Sequence, residues 1–292
     1  MKITGKSKVF GIIGRPVSHS FSPVIQNAAF EYLGLDCCYV PFPVDAGQID
    51  AAIRAIPALN IAGVNVTVPY KESVISYLTE LSEEAMMIGA VNTITVSGGS
   101  LVGHNTDGQG FMASLNESGQ TVNGRSILMI GAGGAARAVV FSIAAGGAGT
   151  IFIANRTISR AESLKELVRK YFSAIKIEVA GMEHDDLKRV INKVDMVINT
   201  TSIGLMRGAP SPVPKELLHK DLFVCDLIYN PPDTEIIRYA KELCSGHMNG
   251  SGMLIFQGAA SFKLWTGIEP PVHVMRQALE DALQHSSSSG RS

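Results

Sequence analysis

Ile127-Leu-Met-Ile130-Gly131-Ala-Gly133-Gly134-Ala-Ala136 decides the fold. An apolar run that ends in G-x-G-x-x-A reads as a buried strand turning sharply into a helix. The first glycine allows the tight turn, the second lets a pyrophosphate approach the backbone, and the small Ala136 lets helix and strand pack closely. Phosphates would sit on the helix N-terminus, where unpaired N–H groups and the dipole favour anions. A glycine run in a loop would carry none of this, but a strand before and a helix after are the context the motif demands.

About 20 residues further on, dinucleotide-binding folds place either a carboxylate for the ribose 2′-hydroxyl of NAD or an arginine for the 2′-phosphate of NADP. Here the next strand ends in Asn155-Arg156-Thr157, with Arg160 following. Two guanidinium groups and no carboxylate favour NADP(H), since planar guanidinium forks match phosphate oxygens. The plainer alternative makes both arginines solvated residues at a helix start.

The same rhythm extends in both directions. Downstream, strands are expected at Thr150–Asn155, Ile175–Val179, Met196–Thr200 and Leu222–Tyr229, with helices over Gly134–Ala145 and from Ser159, whose S-x-x-E spacing to Glu162 matches a capping box. His184-Asp185-Asp186 reads as a further helix start, and Pro231-Pro232 stops the last strand. Upstream, strands are expected at Val9–Gly14, Cys38–Val44 and Gly63–Val68, with helices from near Pro23, Ala46 and Lys71. Asn92–Ser97 and Ser100–His104 flank Gly98-Gly99, a tight hairpin loop. Helices over Gly252–Trp265 and Val272–Gln284 close the sequence, before a polar tail from His285 expected to be disordered. Short β-branched runs alternating with amphipathic helices predict an α/β protein with parallel sheets.

Composition narrows the class. The 292 residues carry 25 Lys plus Arg against 26 Asp plus Glu, a formal net charge of −1, without the basic surplus of a nucleic-acid binder. Hydrophobic residues at 46% exclude a disordered chain. The uncharged, apolar stretch Ala138 to Ala154 is shorter than the ~20 apolar residues of a spanning helix and is broken by glycines, so no membrane insertion is expected. The apolar run Val9 to Ile13 is shorter than the roughly 7–15 residues of a signal-peptide core, so a cytoplasmic protein is expected. Cys37, Cys38, Cys225 and Cys244 lack C-x-x-C spacing and read as reduced, mostly buried thiols. Seven histidines stand without H-x-x-x-H or H-E-x-x-H spacing, so no metal site is expected, and His104 reads as structural. Met86-Met87 and Cys37-Cys38 read as core filling.

Polar groups gather at strand and loop ends in the first third. Ser20-Phe-Ser22-Pro23 is either a well-built helix cap, with Ser22 as N-cap and Pro23 in the first helical position, or a cradle for a carboxylate or phosphate. Asn65-Val-Thr67-Val-Pro69-Tyr-Lys71 leaves a buried strand at its carboxyl end, where ligands of open α/β sheets bind. Gly89-Ala-Val-Asn92-Thr and Gly103-His-Asn-Thr-Asp107-Gly108 add further polar groups.

Taken in order, these segments resemble the shikimate/quinate dehydrogenase family. The resemblance runs from Phe10-Gly-Ile-Ile-Gly14 through S-x-S-P, N-V-T-V-P-Y-K, G-A-V-N-T, N-T-D-G, G-A-G-G-A-A-R and N-R-T. It continues through Asn199-Thr-Thr-Ser-Ile-Gly204, Asp226-Leu-Ile-Tyr229 and Met253-Leu-Ile-Phe-Gln257-Gly-Ala, covering nearly the whole chain. The resemblance implies NADPH-dependent reduction of 3-dehydroshikimate to shikimate, on the route to aromatic amino acids. It implies Lys71 and Asp107 as the catalytic pair, Ser20 and Ser22 on the substrate carboxylate, and Thr67, Asn92 and Gln257 on ring hydroxyls. Tyr229 would lie near the ring and Gly250 near the nicotinamide. Gly131, Ala132, Gly133, Gly134, Ala135, Asn155, Arg156, Thr157, Arg160 and Thr200 would form the cofactor set.

The chemistry agrees with those residue types. Hydride arrival puts negative charge on a ketone oxygen, so the site needs a cation or proton donor aimed at it, and Lys71 supplies one. An adjacent Asp107 carboxylate keeps an ammonium charged. Three other readings stay open: a related dehydrogenase acting on quinate or on both acids, with NADP or NAD, a non-catalytic sensor of a shikimate-like ligand, and a methylenetetrahydrofolate dehydrogenase of similar plan. The fold expected is a substrate-binding α/β domain, residues 1–107 plus 251–292, with C-terminal helices returning to it. A Rossmann NADP-binding domain is expected over 108–250, with the reaction expected between the two domains, which would close on substrate. The partner is a small molecule, and the oligomer either monomer or homodimer.

Overall fold

Alternation along the first strand sets up two packed faces. In the computed structural model, which describes residues 3–206 and 208–289, β1 (Lys8–Gly14) sends Phe10 and Ile12 to one side and Val9 and Ile13 to the other. Successive strand side chains point to opposite faces, so one strand feeds two cores. The elements that follow are α1 (Ser22–Tyr32), β2 (Cys37–Pro43), α2 (Ile49–Ala58), β3 (Ile61–Val66), β4 (Glu80–Leu81), α3 (Glu83–Ile88), β5 (Thr93–Ser97), β6 (Ser100–His104) and α4 (Asp107–Glu117). Their strands form one six-stranded sheet in the order β2-β1-β3-β5-β6-β4. Strands β2, β1 and β3 run parallel, and β5 enters antiparallel to both β3 and β6. Gly98 and Gly99 both take positive φ in the β5–β6 hairpin, as the sequence predicts.

The second sheet is wholly parallel. It is built from β7 (Ser126–Ile130), α5 (Gly134–Ala145), β8 (Thr150–Ala154), α6 (Ile158–Arg169), β9 (Lys176–Ala180), α7 (His184–Ile191), β10 (Met196–Asn199), β11 (Phe223–Asp226), α8 (Glu235–Leu243) and β12 (Gly246–Met248). The strand order β12-β11-β10-β7-β8-β9 reverses beside β7, which is the doubly wound order of dinucleotide-binding folds. One core of this unit joins Leu128, Ile130, Phe152, Val197 and Val224 of the sheet to Leu187 and Ile191 of α7 and Ile236 and Ile237 of α8. Purely parallel strands are covered on both faces, so they read as continuous apolar runs.

After the second sheet come α9 (Ser251–Thr266) and α10 (Val272–Ser289). Ile255, Ala259 and Phe262 of α9 and Met275 and Leu279 of α10 pack with Phe10, Ile25, Phe30 and Tyr39, so the C-terminal helices return to the first sheet. The other face of that sheet carries Ile49, Ile53 and Ile56 of α2 against Val64, Val66 and Ile94. The chain thus forms two compact units, residues 1–110 with 254–292 and residues 111–253. Both boundaries fall inside helices, α4 and α9.

Several local expectations are corrected. Phe21, not Ser22, is the N-cap of α1, with Ser22 and Pro23 already inside the helix. The capping box at Ser159 is not made: α6 starts at Ile158 behind Thr157, and Glu162 pairs with Lys165. The helix placed near Ala46 starts at Ile49, after Gly47 takes a left-handed φ of 86°. The one placed near Lys71 is only a 3₁₀ turn over Ser73–Tyr77, in a stretch interrupted by β-branched Val74 and Ile75. The strand placed at Leu222–Tyr229 ends at Asp226, whose side chain takes the Ile228 N–H from the ladder. Met86 is 62% exposed on the outer face of α3 rather than in the core. The C-terminal serines continue α10 to Ser289, and the rest of the expected tail, 290–292, lies outside the described residues. The cysteines are free, with Cys37, Cys38 and Cys225 buried.

Candidate active site

In the first unit, the turn after β3, the amino end of the antiparallel β5, the start of α4 and the middle of α9 bring Lys71, Asn92, Asp107 and Gln257 together. Asn92 immediately precedes β5, and Lys71 sits in the turn after β3, tied by its carbonyl to the Val91 N–H. Asp107 opens α4, where Asn105 Oδ1 takes its backbone N–H at 3.0 Å. The first turn of a helix favours a carboxylate through the unpaired N–H groups and the dipole. Gly110, one turn later, lies so close to α9 that an added Cβ would stand 2.6 Å from the Gln257 backbone nitrogen. Absence of a side chain there lets α4 rest on α9 beside Gln257.

The centre is an ion pair. Lys71 Nζ donates to Asp107 Oδ2 at 2.6 Å, with side-chain exposures of 14% and 6%. Asn92 Nδ2 donates to the other carboxylate oxygen, Oδ1, at 2.8 Å and lies 3.5 Å from Gln257 Oε1. An ammonium has three donors, so one bond to Asp107 leaves two for a ligand. Removing one member of a buried pair leaves an uncompensated charge, which holds the two side chains together.

Ser20 and Ser22 meet each other at the start of α1, where the Ser22 N–H donates to Ser20 Oγ at 3.2 Å. Ser20 is half-buried, while Ser22 is buried and hydrogen-bonded to Tyr39. Burial pushes the Tyr39 phenol well above its ordinary range, so it stays a neutral donor, bonded to Asn65 Oδ1 at 2.7 Å. Thr67 is half-buried just beyond β3, its N–H on the Ile13 carbonyl.

The second unit holds the remaining residues. Gly131 turns at a φ of 112°, and an added Cβ would overlap Thr200 Oγ1 and stand 2.9 Å from Thr201 Cγ2. Thr200 is fixed by its hydroxyl on the Ile130 carbonyl at 2.7 Å, next to the strand-order reversal. Gly133 caps α5 without a side-chain bond, and the position of its missing Cβ is open space. Ala132, Gly134 and Ala135 are half-buried beside it. These features fit a pyrophosphate: a backbone pinned on one side, open on the other, with helix N–H groups facing the opening. Arg156 and Arg160 are exposed, and their side chains make no ion pair or hydrogen bond with any described residue. Asn155 is held by its Nδ2 on the Thr157 carbonyl at 2.8 Å. That donor set suits a 2′-phosphate. Tyr229 is half-buried, and Gly250 packs its backbone on the Leu227–Ile228 segment, its N–H on the Ile228 carbonyl.

Sequence reading did not assign roles to Thr106, Ser261 and Asn65, or to Asn199, Asp226 and Thr234. The first group surrounds Asn92, and Ser261 lies one helical turn after Gln257, a spacing visible in the sequence. In the second, the buried Asp226 carboxylate accepts from Thr234 Oγ1, Asn199 Nδ2 and the Ile228 N–H. No group of His, Cys, Asp and Glu among the described residues could hold a metal ion.

A doubly wound unit with a phosphate-binding turn, joined in one chain to an α/β unit bearing a buried lysine–aspartate pair, defines a dinucleotide-dependent oxidoreductase. Residues 12–94 match the shikimate dehydrogenase substrate-binding domain, 114–235 the shikimate/quinate 5-dehydrogenase domain and 250–280 the shikimate 5′-dehydrogenase C-terminal domain. The chain is 41% identical over 287 residues to the shikimate dehydrogenase (NADP⁺) of Methanopyrus kandleri, covering 97% of this chain and 99% of that protein. A crystal structure of a shikimate dehydrogenase with NADP⁺ superposes with a TM-score of 0.90 at 42% identity, covering 97% of this chain and 98% of the other. The Thermus thermophilus enzyme, solved with NADP(H) and shikimate, gives 0.83 at 34% identity, covering 94% and 99%. The chain belongs to the shikimate dehydrogenase family. Among the described residues, no helix is long and apolar enough to cross a membrane.

Proposed function

We propose that this protein catalyses the reversible, NADPH-dependent reduction of 3-dehydroshikimate to shikimate. The observation that carries the reading is the Lys71–Asp107 pair, buried beside Asn92 and Gln257 at the strand ends. When bound, NADPH supplies the hydride. Gly131 to Ala135 and Thr200 would hold its pyrophosphate side, with Asn155, Arg156, Thr157 and Arg160 on the adenosine 2′-phosphate and Gly250 toward the nicotinamide.

The chain's own part is orientation and charge. Ser20 and Ser22 take the substrate carboxylate, Thr67, Asn92 and Gln257 the ring hydroxyls, and Tyr229 the ring. Negative charge that develops on the ketone oxygen meets the Lys71 ammonium, whose two remaining protons are free of Asp107. The proton that completes the alcohol comes from the Lys71–Asp107 unit, and the same unit accepts it in the reverse direction. Asp107 keeps the ammonium in place through the 2.6 Å bond while Asn92 steadies the carboxylate. The free thiols suit a reducing compartment, so the cytoplasm is the proposed location.

Initial rates at the nicotinamide band, crossing shikimate and quinate against NADP⁺ and NAD⁺, test the reading. Strong turnover is expected for shikimate with NADP⁺. Preference for quinate or NAD⁺ overturns the specificity, and thermal stabilisation by shikimate without turnover favours a sensor. Lys71→Ala should lower kcat by about 100-fold or more with little change in KM; retention of a tenth of wild-type kcat, a loss of only ~1.36 kcal/mol, would sink the role.

A further inference from the structure

We propose that Thr106 is a positioning residue that locks the Asn92 carboxamide with its nitrogen toward Asp107. The inference rests on the reading that Lys71 and Asp107 act on the substrate. Asn92, Thr106 and Asp107 are 2%, 2% and 4% exposed, so water does not set their hydrogen bonds. Asn92 Nδ2 reaches Asp107 Oδ1 at 2.8 Å and Thr106 Oγ1 at 2.9 Å, and Asn92 Oδ1 accepts the Thr106 backbone N–H at 2.8 Å and the Thr93 hydroxyl at 2.9 Å. A carboxylate only accepts and a backbone N–H only donates, so the carboxamide has one satisfied orientation. Flipping it would turn oxygen to the Asp107 carboxylate and amine to the Thr106 N–H.

Thr106 holds both ends of that amide. Its backbone N–H takes the oxygen, and its hydroxyl takes the second amide proton while donating its own proton to the Gln257 carbonyl at 3.1 Å. Behind it, Ser261 Oγ lies 3.2 Å from the Thr106 hydroxyl and 2.8 Å from that of Thr93, and Asn65 Nδ2 lies 3.0 Å from both Ser261 and Thr93. Asn92 thereby keeps Asp107 Oδ1 occupied and leaves Oδ2 for Lys71. Without the hydroxyl, the second amide proton keeps only the long 3.5 Å contact to Gln257 Oε1, and the carboxamide, still oriented by Asp107 and the Thr106 N–H, is free to tilt in its plane and loosen its bond to Asp107. Lys71 then loses its fixed aim.

Thr106→Val keeps the shape and the backbone N–H but removes the hydroxyl, and Thr106→Ala serves where that variant does not fold. In the shikimate–NADP⁺ assay, kcat should fall about tenfold, KM should stay within about threefold, and Thr106→Ser should restore most of the rate. A folded Thr106→Val protein with wild-type kcat, a loss confined to KM, or a Thr106→Ser variant as slow as Thr106→Val would each overturn the proposal. The Asn92 side-chain amide resonances, assigned with Asn92→Asp, supply a readout independent of turnover. They should be slow to exchange in the wild type and exchange faster in Thr106→Val; unchanged shifts and exchange would overturn the lock. Absence of turnover by the wild type would instead strike the functional reading, with the lock still judged by these resonances.

Discussion

Replacing Gly131 with alanine should separate the cost of the turn from the cost of crowding behind it. At a φ of 112° a residue with a Cβ is strained, at about 1–2 kcal/mol. The new methyl would also overlap Thr200 Oγ1 and press on Thr201 Cγ2 at 2.9 Å, and such overpacking costs about 1–3 kcal/mol. The reduced freedom of the unfolded chain offsets roughly 0.4–1 kcal/mol, leaving a net loss of about 1–5 kcal/mol. Urea unfolding followed by far-UV circular dichroism measures it. Thr200→Ala removes the nearest clashing atom, so in that background Gly131→Ala should cost less by about 1 kcal/mol or more. Gly133→Ala is the counterpart: its φ of −95° is ordinary and its Cβ meets nothing, so stability should change by under ~0.5 kcal/mol. The methyl would nevertheless stand where a phosphate approaches the helix, and NADP⁺ should bind about tenfold more weakly by calorimetry. A Gly131→Ala protein within ~0.5 kcal/mol of wild type, or a penalty unchanged in the Thr200→Ala background, would refute the reasoning.

Arg156→Ala and Arg160→Ala should each weaken NADP⁺ by about tenfold while leaving NAD⁺ affinity unchanged, since only the former carries the 2′-phosphate; equal losses for both cofactors would remove the arginines from that role. Burial pushes the Asp226 carboxyl above its ordinary range, against the opposing bonds from Thr234, Ile228 and Asn199. A raised folded value means the folded state binds more protons than the unfolded one just above the ordinary ~3.9, so this group's contribution to stability declines as pH rises through that window. Asp226→Asn, which does not titrate, should therefore gain on the wild type as pH rises from about 4 toward 7; a constant stability difference across that range counts against the shift. Phe262→Ala removes a fully buried ring that meets Phe30 at 5.3 Å, and should cost about 3–5 kcal/mol in urea unfolding followed by Trp265 fluorescence.

Much of this protein was legible from local pattern. The run Ile127 to Ala136 foretold a strand, a tight turn and a helix, because each requirement is met by adjacent residues, and the structure gives that turn a positive φ at Gly131. The same holds for the hairpin at Gly98-Gly99 and for α10 as a helix, whose apolar residues recur at helical spacing, whereas its packing on the first sheet is a long-range contact that spacing does not show. Helix starts were less legible. Ser22 and the Ser159/Glu162 pair have the composition of caps, yet the caps are Phe21 and Thr157, since the helix begins where packing places it. Short elements such as β4 and β12 carry too few residues to show a period.

The amino-acid sequence by itself determined the α/β class, the nucleotide-binding turn and the arginines after the second strand of that unit, because each depends on residues near one another along the chain. It also supplied Lys71 and Asp107 as chemistry. Only the tertiary structure decided that these two form an ion pair, that Asn92 takes the remaining carboxylate oxygen, and that Thr106, Ser261 and Asn65 stand behind it. Those contacts join residues up to 196 positions apart. Buried donors and acceptors must be matched in space rather than in order, so the direction in which each amide and hydroxyl points is set by the packed fold.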